Sequence, residues 1–477
     1  MAKKFYITSA IPYVNAAPHI GHALEFIQTD SIARYHKLIG FDVRTLCGGD
    51  ENALKNVQAA EKTGIPVQEF VDTNNKLFES LAAKLNVRYD VWQKGSDQHH
   101  HFPSSQKLWD LCAQNDDIYQ KSYEGLYCVG CETFYEREEL NNQGECFEHP
   151  GKSLQNVKEK NWFFRLSKYE KQIKEKILTG ELEIVPEKRK HEVLAFLERG
   201  LQDISISRSN ERAKNWGVPV PGDPSQRMYV WFDALNIYQS GIGFGWDPTS
   251  YSKWWPADIH VIGKGITRFH AVYWPAFLLS AKLKLPKKIF VHEYFTVNGQ
   301  KMSKTLGNVI DPIVLIEKYG VDPLRYYFLA KFSPFNDGDF SEKEFKKTYN
   351  ADLANGIGNL VARVAKLAEN LNCKIKTLNF NEINKDDYKT ALEEYRFHDA
   401  LAYVWGKIRT ADKLVDDRQP WKLTGGDLET FINEIIPQIV KIATLLQPFL
   451  PDTAEKILKQ LSGPTIKSQP PLFPRLP

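Results

Sequence analysis

Nearly continuous apolar runs alternate with amphipathic stretches along the first hundred or so residues. KFYITSAI reads as a strand buried on both faces. In the following PHIGHALEFIQTDSIARYHKLIG, Ile20, Leu24 and Ile27 keep helical spacing. Pro18 suits a first turn there, and Gly40 suits the residue past the end. FDVRTLCG predicts a second strand and VQEFVDTNNKLFESLAAKLN another helix. Strand–helix–strand order implies a parallel sheet with right-handed crossovers. The pattern returns late in the chain, with DIHVIGKG as strand, ITRFHAVYWPAFLLSAKL as helix and KKIFVHEYFTV as strand.

Roughly a hundred residues of different character separate the two blocks. They hold clustered cysteines, aromatic segments such as NWFFRL and charged helical stretches, and read as an insertion within a nucleotide-binding α/β fold. From about residue 340 the periodicity is helical only, as in NGIGNLVARVAKLAENL and INEIIPQIVKIATLLQPFL, which implies a separate helical domain. The expected division is 1–112 and 216–340 for the two halves of a parallel-sheet domain, 113–215 for the insertion and 341–477 for the helical domain. The tail SQPPLFPRLP reads as an extended strap or frayed end.

Composition changes this picture little. The chain has 477 residues, 42% hydrophobic and 25% charged, which is ordinary for a globular protein of about two to four domains. A net charge of +3 neither requires nor excludes nucleic acid, so any basic surface must be local. The N-terminal apolar run is interrupted by Pro12 and no small-residue cleavage site follows, so no signal peptide is expected. The longest apolar stretch, AVYWPAFLLSAKL, contains Pro275 and Lys282 and reads as a buried helix, not a membrane span. A cytoplasmic protein without membrane contact is expected.

Cysteine placement does change it. Cys47, Cys112 and Cys373 are scattered, whereas Cys128, Cys131 and Cys146 cluster and are followed by His149. Two close pairs of soft and borderline ligands suit one tetrahedral Zn²⁺, with buried thiols or a labile disulfide as the alternatives. Four protein ligands leave no open position, so the site would be structural and would staple a small insertion. His99, His100 and His101 have no second ligand cluster nearby in sequence and read as a solvated helix start.

Candidate chemistry begins at His19 and His22. They lie at a predicted helix start, directly after the first strand, where open α/β sheets bind ligands. Helix N-termini attract anions, and residues three apart share a face. Gly21 between them lets a phosphate or a flat base approach the backbone. Alone, the pair reads as well as two surface histidines. A second segment, KMSKT at 301–305, follows a predicted strand in a Gly- and Asn-containing loop. Its lysines, Lys301 and Lys304, suit closure over phosphates, although alone they read as a solvated basic loop.

HIGH followed by KMSKT resembles the paired signatures of class I aminoacyl-tRNA synthetases. TSAIPYVNAAPHIGHA, YVWFDALNIY, VIGKGITRFHAVYWPAFL and KMSKTLGNVIDP resemble the methionyl-tRNA synthetases in particular, over essentially the whole chain. The resemblance implies a Rossmann-like catalytic domain with a zinc-knuckle insertion, followed by an α-helical anticodon-binding bundle. It implies activation of L-methionine by ATP with Mg²⁺, then transfer to tRNA(Met), including initiator tRNA, with release of AMP and pyrophosphate. By the same resemblance His19, His22, Lys301 and Lys304 are catalytic, and His19, Gly21, His22 and Lys304 bind ATP. The methionine site would comprise Ile11, Tyr13, Asp50, Trp231, Ala234, Tyr238, Ile266 and His270, with Asp50 taking the ammonium group and the aromatics facing the thioether. Without the family those aromatics read as core packing. Asn359, Arg363 and Trp421 match the family's anticodon readers, with Gln419 at a usual glutamate; unaided, Trp421 reads as a core anchor and Arg363 as an ion-pair partner. Thr305 stands at a usual serine and keeps the hydroxyl. Asn52 and Ala53 stand where the family usually has His-Gly, so no histidine role is carried over.

Competing expectations are a synthetase for valine, isoleucine, leucine or cysteine, a nucleotidyltransferase that adenylates a small acid, and a silent tRNA-binding module. The insertion leaves little space for the long editing domain of the branched-chain enzymes, and a small-acid ligase has no need of the helical tail. A monomer is expected.

Overall fold

The computed structural model describes residues 2–128, 130, 133–135, 137–148, 150–302, 308–369, 371, 387–461 and 465–477. Strands β1 (Lys4–Ser9), β2 (Asp42–Gly49) and β3 (Val91–Lys94) are joined by helices α1 (Ile20–Leu38), α2 (Leu54–Thr63) and α3 (Val67–Lys84). They form one side of a six-stranded sheet. β1 pairs in parallel with the strand Ile259–Gly263, which pairs in parallel with Lys288–His292. α1 is buried on nearly all sides, polar Gln28, Thr29, Asp30 and Ser31 included. Such a helix must be held by partners rather than lie on a surface.

Several local readings shift. Pro18 is not in the first turn, because His19 is the N-cap and the helix begins at Ile20. KKIFVHEYFTV is two strands: Lys288–His292 in the large sheet and Phe295–Val297 in a small sheet with Gln300–Lys301 and Gly338–Phe340. ITRFHAVYWPAFLLSAKL is a 3₁₀ turn, a π-turn at Phe269–Tyr273 and an α-helix at Trp274–Ser280. Within the segment read as insertion, Glu183–Val185 returns to the large sheet and pairs in parallel with Lys288–His292 as its edge strand. Three residues among charged neighbours carry too little periodicity to announce a strand.

The insertion itself is built on the long antiparallel pair Ile118–Cys128 and Gln155–Phe164. Beyond residue 340 the described elements are helices. The helical region is locked to α1 by Arg325, which is fully buried. Its guanidinium reaches Asp30 (2.7 Å) and donates to the carbonyls of Leu85 (3.2 Å), Phe449 (2.7 Å) and Pro448 (3.2 Å). Among the described residues no helix is long and apolar enough to cross a membrane.

Candidate active site

The two histidines cap the helix that carries them. His19 Nδ1 accepts from the Gly21 N–H (3.1 Å), and His22 Nδ1 accepts from the His19 N–H (3.1 Å), a reciprocal capping box. Because both Nδ1 atoms accept, both Nε2 atoms must carry the proton. Burial, and then the neighbouring His19, hold the His22 imidazole well below its usual range, so it is neutral at physiological pH. A neutral Nε2–H is a donor suited to charge that develops on a phosphoryl group. Gly21 is required here, since a β-carbon would stand 2.9 Å from His19 Cε1.

Met302 and Ile310 come to this helix end. Met302 Cε lies 3.8 Å from the same β-carbon position on Gly21, and the Ile20 N–H donates to Ile310 O (3.2 Å). Lys301 and Met302 line one cleft of about 610 Å³ together with Ile11, Tyr13, His19, Gly21, His22, Trp231 and Ile266. Lys304 and Thr305 lie outside the described residues.

Asp50, Ala234, Tyr238 and His270 do not line that cleft; all four are buried beside it. Tyr238 Oη pairs with His270 Nε2 (2.7 Å), whose Nδ1 faces the Ile266 carbonyl (3.0 Å). The carbonyl can only accept, so Nδ1 carries the proton and Tyr238 donates. Burial lowers His270 to about 4 and raises Tyr238 well above its usual value, so both are neutral. Trp231 stacks on Phe269 at 3.8 Å and meets Tyr13 edge-on at 6.1 Å. The backbone N–H of Asp50 donates to Pro12 O (2.9 Å), which ties the carboxylate's loop to the segment after β1 that carries Ile11 and Tyr13. The aromatics are thus packed, as core residues are, and also present one wall to the cleft.

Sequence reasoning passed over Glu25, His292 and Tyr294, which line the same cleft. Glu25 accepts from the Ala10 N–H (2.9 Å) and pairs with His292 Nε2 (3.0 Å). Its spacing three after His22 was the available signal, since it puts the carboxylate on the same helical face. His292 is 267 positions away and gives no such signal. The reading of His101 is corrected: it is fully buried, with Nδ1 on Ser240 Oγ (2.9 Å) and Nε2 3.8 Å from Asp233, while His99 and His100 are exposed. Identical neighbours on a helix start point to different sides, which a three-letter run conceals.

Of the four thiol and imidazole groups read as zinc ligands, Cys131 and His149 lie outside the described residues. Cys128 and Cys146 are both buried, yet neither belongs to either hydrophobic core. Buried soft donors that join no apolar core among the described residues fit a metal staple.

In the helical region the core-anchor reading of Trp421 is overturned, because its side chain is 54% exposed. The Arg363 guanidinium sits 5.6 Å from the Trp421 ring centre and pairs with Asp416 (2.8 Å). Asn359 is exposed and opens the helix Asn359–Ala368.

The sequence matches the family described as tRNA synthetases class I (M) over residues 5–365. It is 40% identical to a methionine–tRNA ligase of Thermotoga maritima, covering 96% of this chain and 75% of that protein. It is 38% identical to one of Brucella melitensis, covering 98% and 93%. The fold superimposes on Mycobacterium tuberculosis methionyl-tRNA synthetase in complex with methionyl-adenylate, with a TM-score of 0.89 and 36% identity over 100% of this chain and 99% of that one. The free state of that enzyme gives a TM-score of 0.84 at 33% identity.

Proposed function

This chain belongs to the class I tRNA synthetases of the methionine type, and from that premise we propose how its cleft performs the reaction. The activity is that of a methionine–tRNA ligase. The methionine carboxylate attacks the α-phosphorus of ATP and expels pyrophosphate. A terminal ribose hydroxyl of tRNA(Met), initiator tRNA included, then attacks the methionyl-adenylate and releases AMP. Neither step needs a protein nucleophile, so catalysis is positioning plus charge stabilisation.

In this reading the Nε2–H groups of His19 and His22 meet the phosphates at the α1 N-terminus, with Gly21 admitting them. Lys301 and Lys304 would bring ammonium charge to the same phosphates. Mg²⁺ supplied with ATP would offset phosphate charge there. Asp50 holds the ammonium group, and Tyr13, Trp231, Ala234, Tyr238, Ile266, His270 and the Ile11 backbone enclose the side chain. Neutral His270 and Tyr238 suit a thioether, which offers only a weak acceptor. Cys128, Cys131, Cys146 and His149 would hold one Zn²⁺, which would serve the fold of the insertion. Asn359, Arg363 and Trp421 would engage the anticodon, with a stacking plane and a cation on one exposed face. The enzyme would act as a cytoplasmic monomer.

The observation that carries the reading is the meeting of Met302 with Gly21 inside the cleft that Tyr13 and Trp231 also line. ATP–pyrophosphate exchange with each amino acid in turn, followed by charging of bulk tRNA, tests it. Methionine alone should support both reactions; exchange with another amino acid and none with methionine would refute it.

A further inference from the structure

Tyr294 stands in the turn between the large sheet and the small sheet that leads into the KMSKT loop. Its backbone is fixed on both sides: its N–H donates to Asp337 Oδ1 (3.1 Å) and its carbonyl accepts from the Gly338 N–H (3.1 Å). Its side chain, however, is 42% exposed and lines the cleft. The phenol oxygen accepts a hydrogen bond from the Gly265 N–H (2.8 Å). The phenolic proton has no acceptor among the described residues. Burial of its surroundings pushes the Tyr294 phenol up to about 12, so that proton stays in place at physiological pH.

Gly265 makes this placement possible. A β-carbon there would collide with the phenol oxygen, and no positive φ requires glycine at that position. The glycine therefore serves the tyrosine and not the local backbone. The ring also packs toward Gly263, where a β-carbon would stand 3.3 Å from Tyr294 Cε1 and 3.6 Å from His292 Cε1. His292 reaches Glu25, which lies about one helical turn, on the order of 5 Å, beyond His22. The phenol therefore lines the same cleft as the two histidines but stands apart from them, on the side of His292 and Glu25.

We propose that the Tyr294 hydroxyl donates a hydrogen bond to a ribose hydroxyl of ATP, and that Gly265 provides the room for it. This rests on the reading of the cleft as an ATP site. An uncharged donor held on a backbone N–H matches a neutral sugar hydroxyl and adds little at a phosphate already faced by imidazoles and lysines. Tyr294 is thus a nucleotide-positioning residue that the signature motifs do not contain.

The test is methionine-dependent ATP–pyrophosphate exchange by the full chain and by Tyr294→Phe and Gly265→Ala, with ATP, 2′-deoxyATP and 3′-deoxyATP. Tyr294→Phe should raise the KM for ATP about three- to tenfold, as expected for loss of one neutral hydrogen bond, with the KM for methionine unchanged. With whichever deoxynucleotide lacks the partner hydroxyl, wild type and Tyr294→Phe should have equal KM. Gly265→Ala removes no polar group, yet should reproduce the ATP defect by displacing the phenol. An unchanged KM for ATP in Tyr294→Phe, or an equal loss with all three nucleotides, would overturn the proposal. Wild-type exchange with methionine in the same assay separates that failure from failure of the functional reading.

Discussion

Asn52 Nδ2 lies 2.6 Å from Asp233 Oδ2 and 2.8 Å from the Gly95 carbonyl, so one amide ties the loop of Asp50 to the helical turn that carries Trp231 and Ala234. This is where the chain departs from the His-Gly of its resembling family. The departure is accommodated by an amide that donates twice. Ala53 beside it is fully buried and caps α2 without a side-chain hydrogen bond. Burial raises the Asp233 carboxyl, and His101, then Asn52 and the Ala234 N–H, oppose that rise.

Replacing Asn52 by Ala should therefore act on substrate binding as well as on stability. Leaving Asp233 without this donor costs about 1–3 kcal/mol. The Asp50 loop and the Trp231–Ala234 turn, the two proposed walls of the methionine site, lose their common tie, so the KM for methionine should rise about tenfold or more, with the KM for ATP little changed. Exchange kinetics and thermal unfolding check both parts. An unchanged KM for methionine would mean that the two walls are held by other contacts.

At the proposed phosphate end, Gly21→Ala should be nearly as harmful as His19→Ala. The added methyl meets His19 Cε1 at 2.9 Å and breaks the reciprocal cap that fixes both imidazole tautomers. Loss of one positioned donor costs about 10²–10³ in the chemical step. Lys304→Ala should fall in the same range, with methionine affinity intact. Pre-steady-state formation of the adenylate measures all three variants.

Acid should weaken the fold through its buried histidines. His270 is held at about 4 by burial, against about 6.5 when unfolded, and His22 and His260 are depressed in the same direction. A base depressed by folding contributes stability that is fully present above about 6.5 and is lost as pH falls through about 4. For His270 the difference amounts to about 3 kcal/mol. Thermal unfolding followed from about pH 7.5 to about pH 5 should show a falling Tm, and His270→Gln should make the fall shallower.

Arg325 offers a test of how the helical region is fastened. Arg325→Met would leave Asp30 to Arg34 alone (2.6 Å) and three carbonyls without their donor. The unpaired carbonyls make the loss on the order of 3 kcal/mol. Lysine should not rescue it, because one ammonium cannot reach the acceptors that a planar fork reaches. Urea unfolding measures the loss.

What the sequence disclosed followed from periodicity and short-range spacing. The parallel sheet could be read because β1, β2 and Ile259–Gly263 are buried apolar runs, and the cleft because His19–His22 and Lys301–Met302 stand at strand ends. The remainder was hidden where the signal is long-range or short in extent. Glu183–Val185 has three residues, Glu25 and His292 meet across the whole catalytic domain, and Arg325 is an arginine in an ordinary helix whose partners lie in three other segments. His101 was misread because burial is a property of the packed helix, not of the His99–His101 run.

Variants of Trp421 and Arg363 should separate the two half-reactions. Both lie in the helical region, and an exposed indole with a guanidinium held near its face is a surface onto which an unstacked base can slide. Such stacking contributes about 1–3 kcal/mol per base. Trp421→Ala should therefore raise the KM for tRNA in aminoacylation by about 5- to 150-fold and leave ATP–pyrophosphate exchange unaltered. Arg363→Ala removes the cation but also frees Asp416, whose charge then faces RNA, so its defect should deepen as salt is lowered, whereas that of Trp421→Ala should not. If both variants charged tRNA normally, the exposed tryptophan would be a surface feature and anticodon reading would have to reside on another face of the helices.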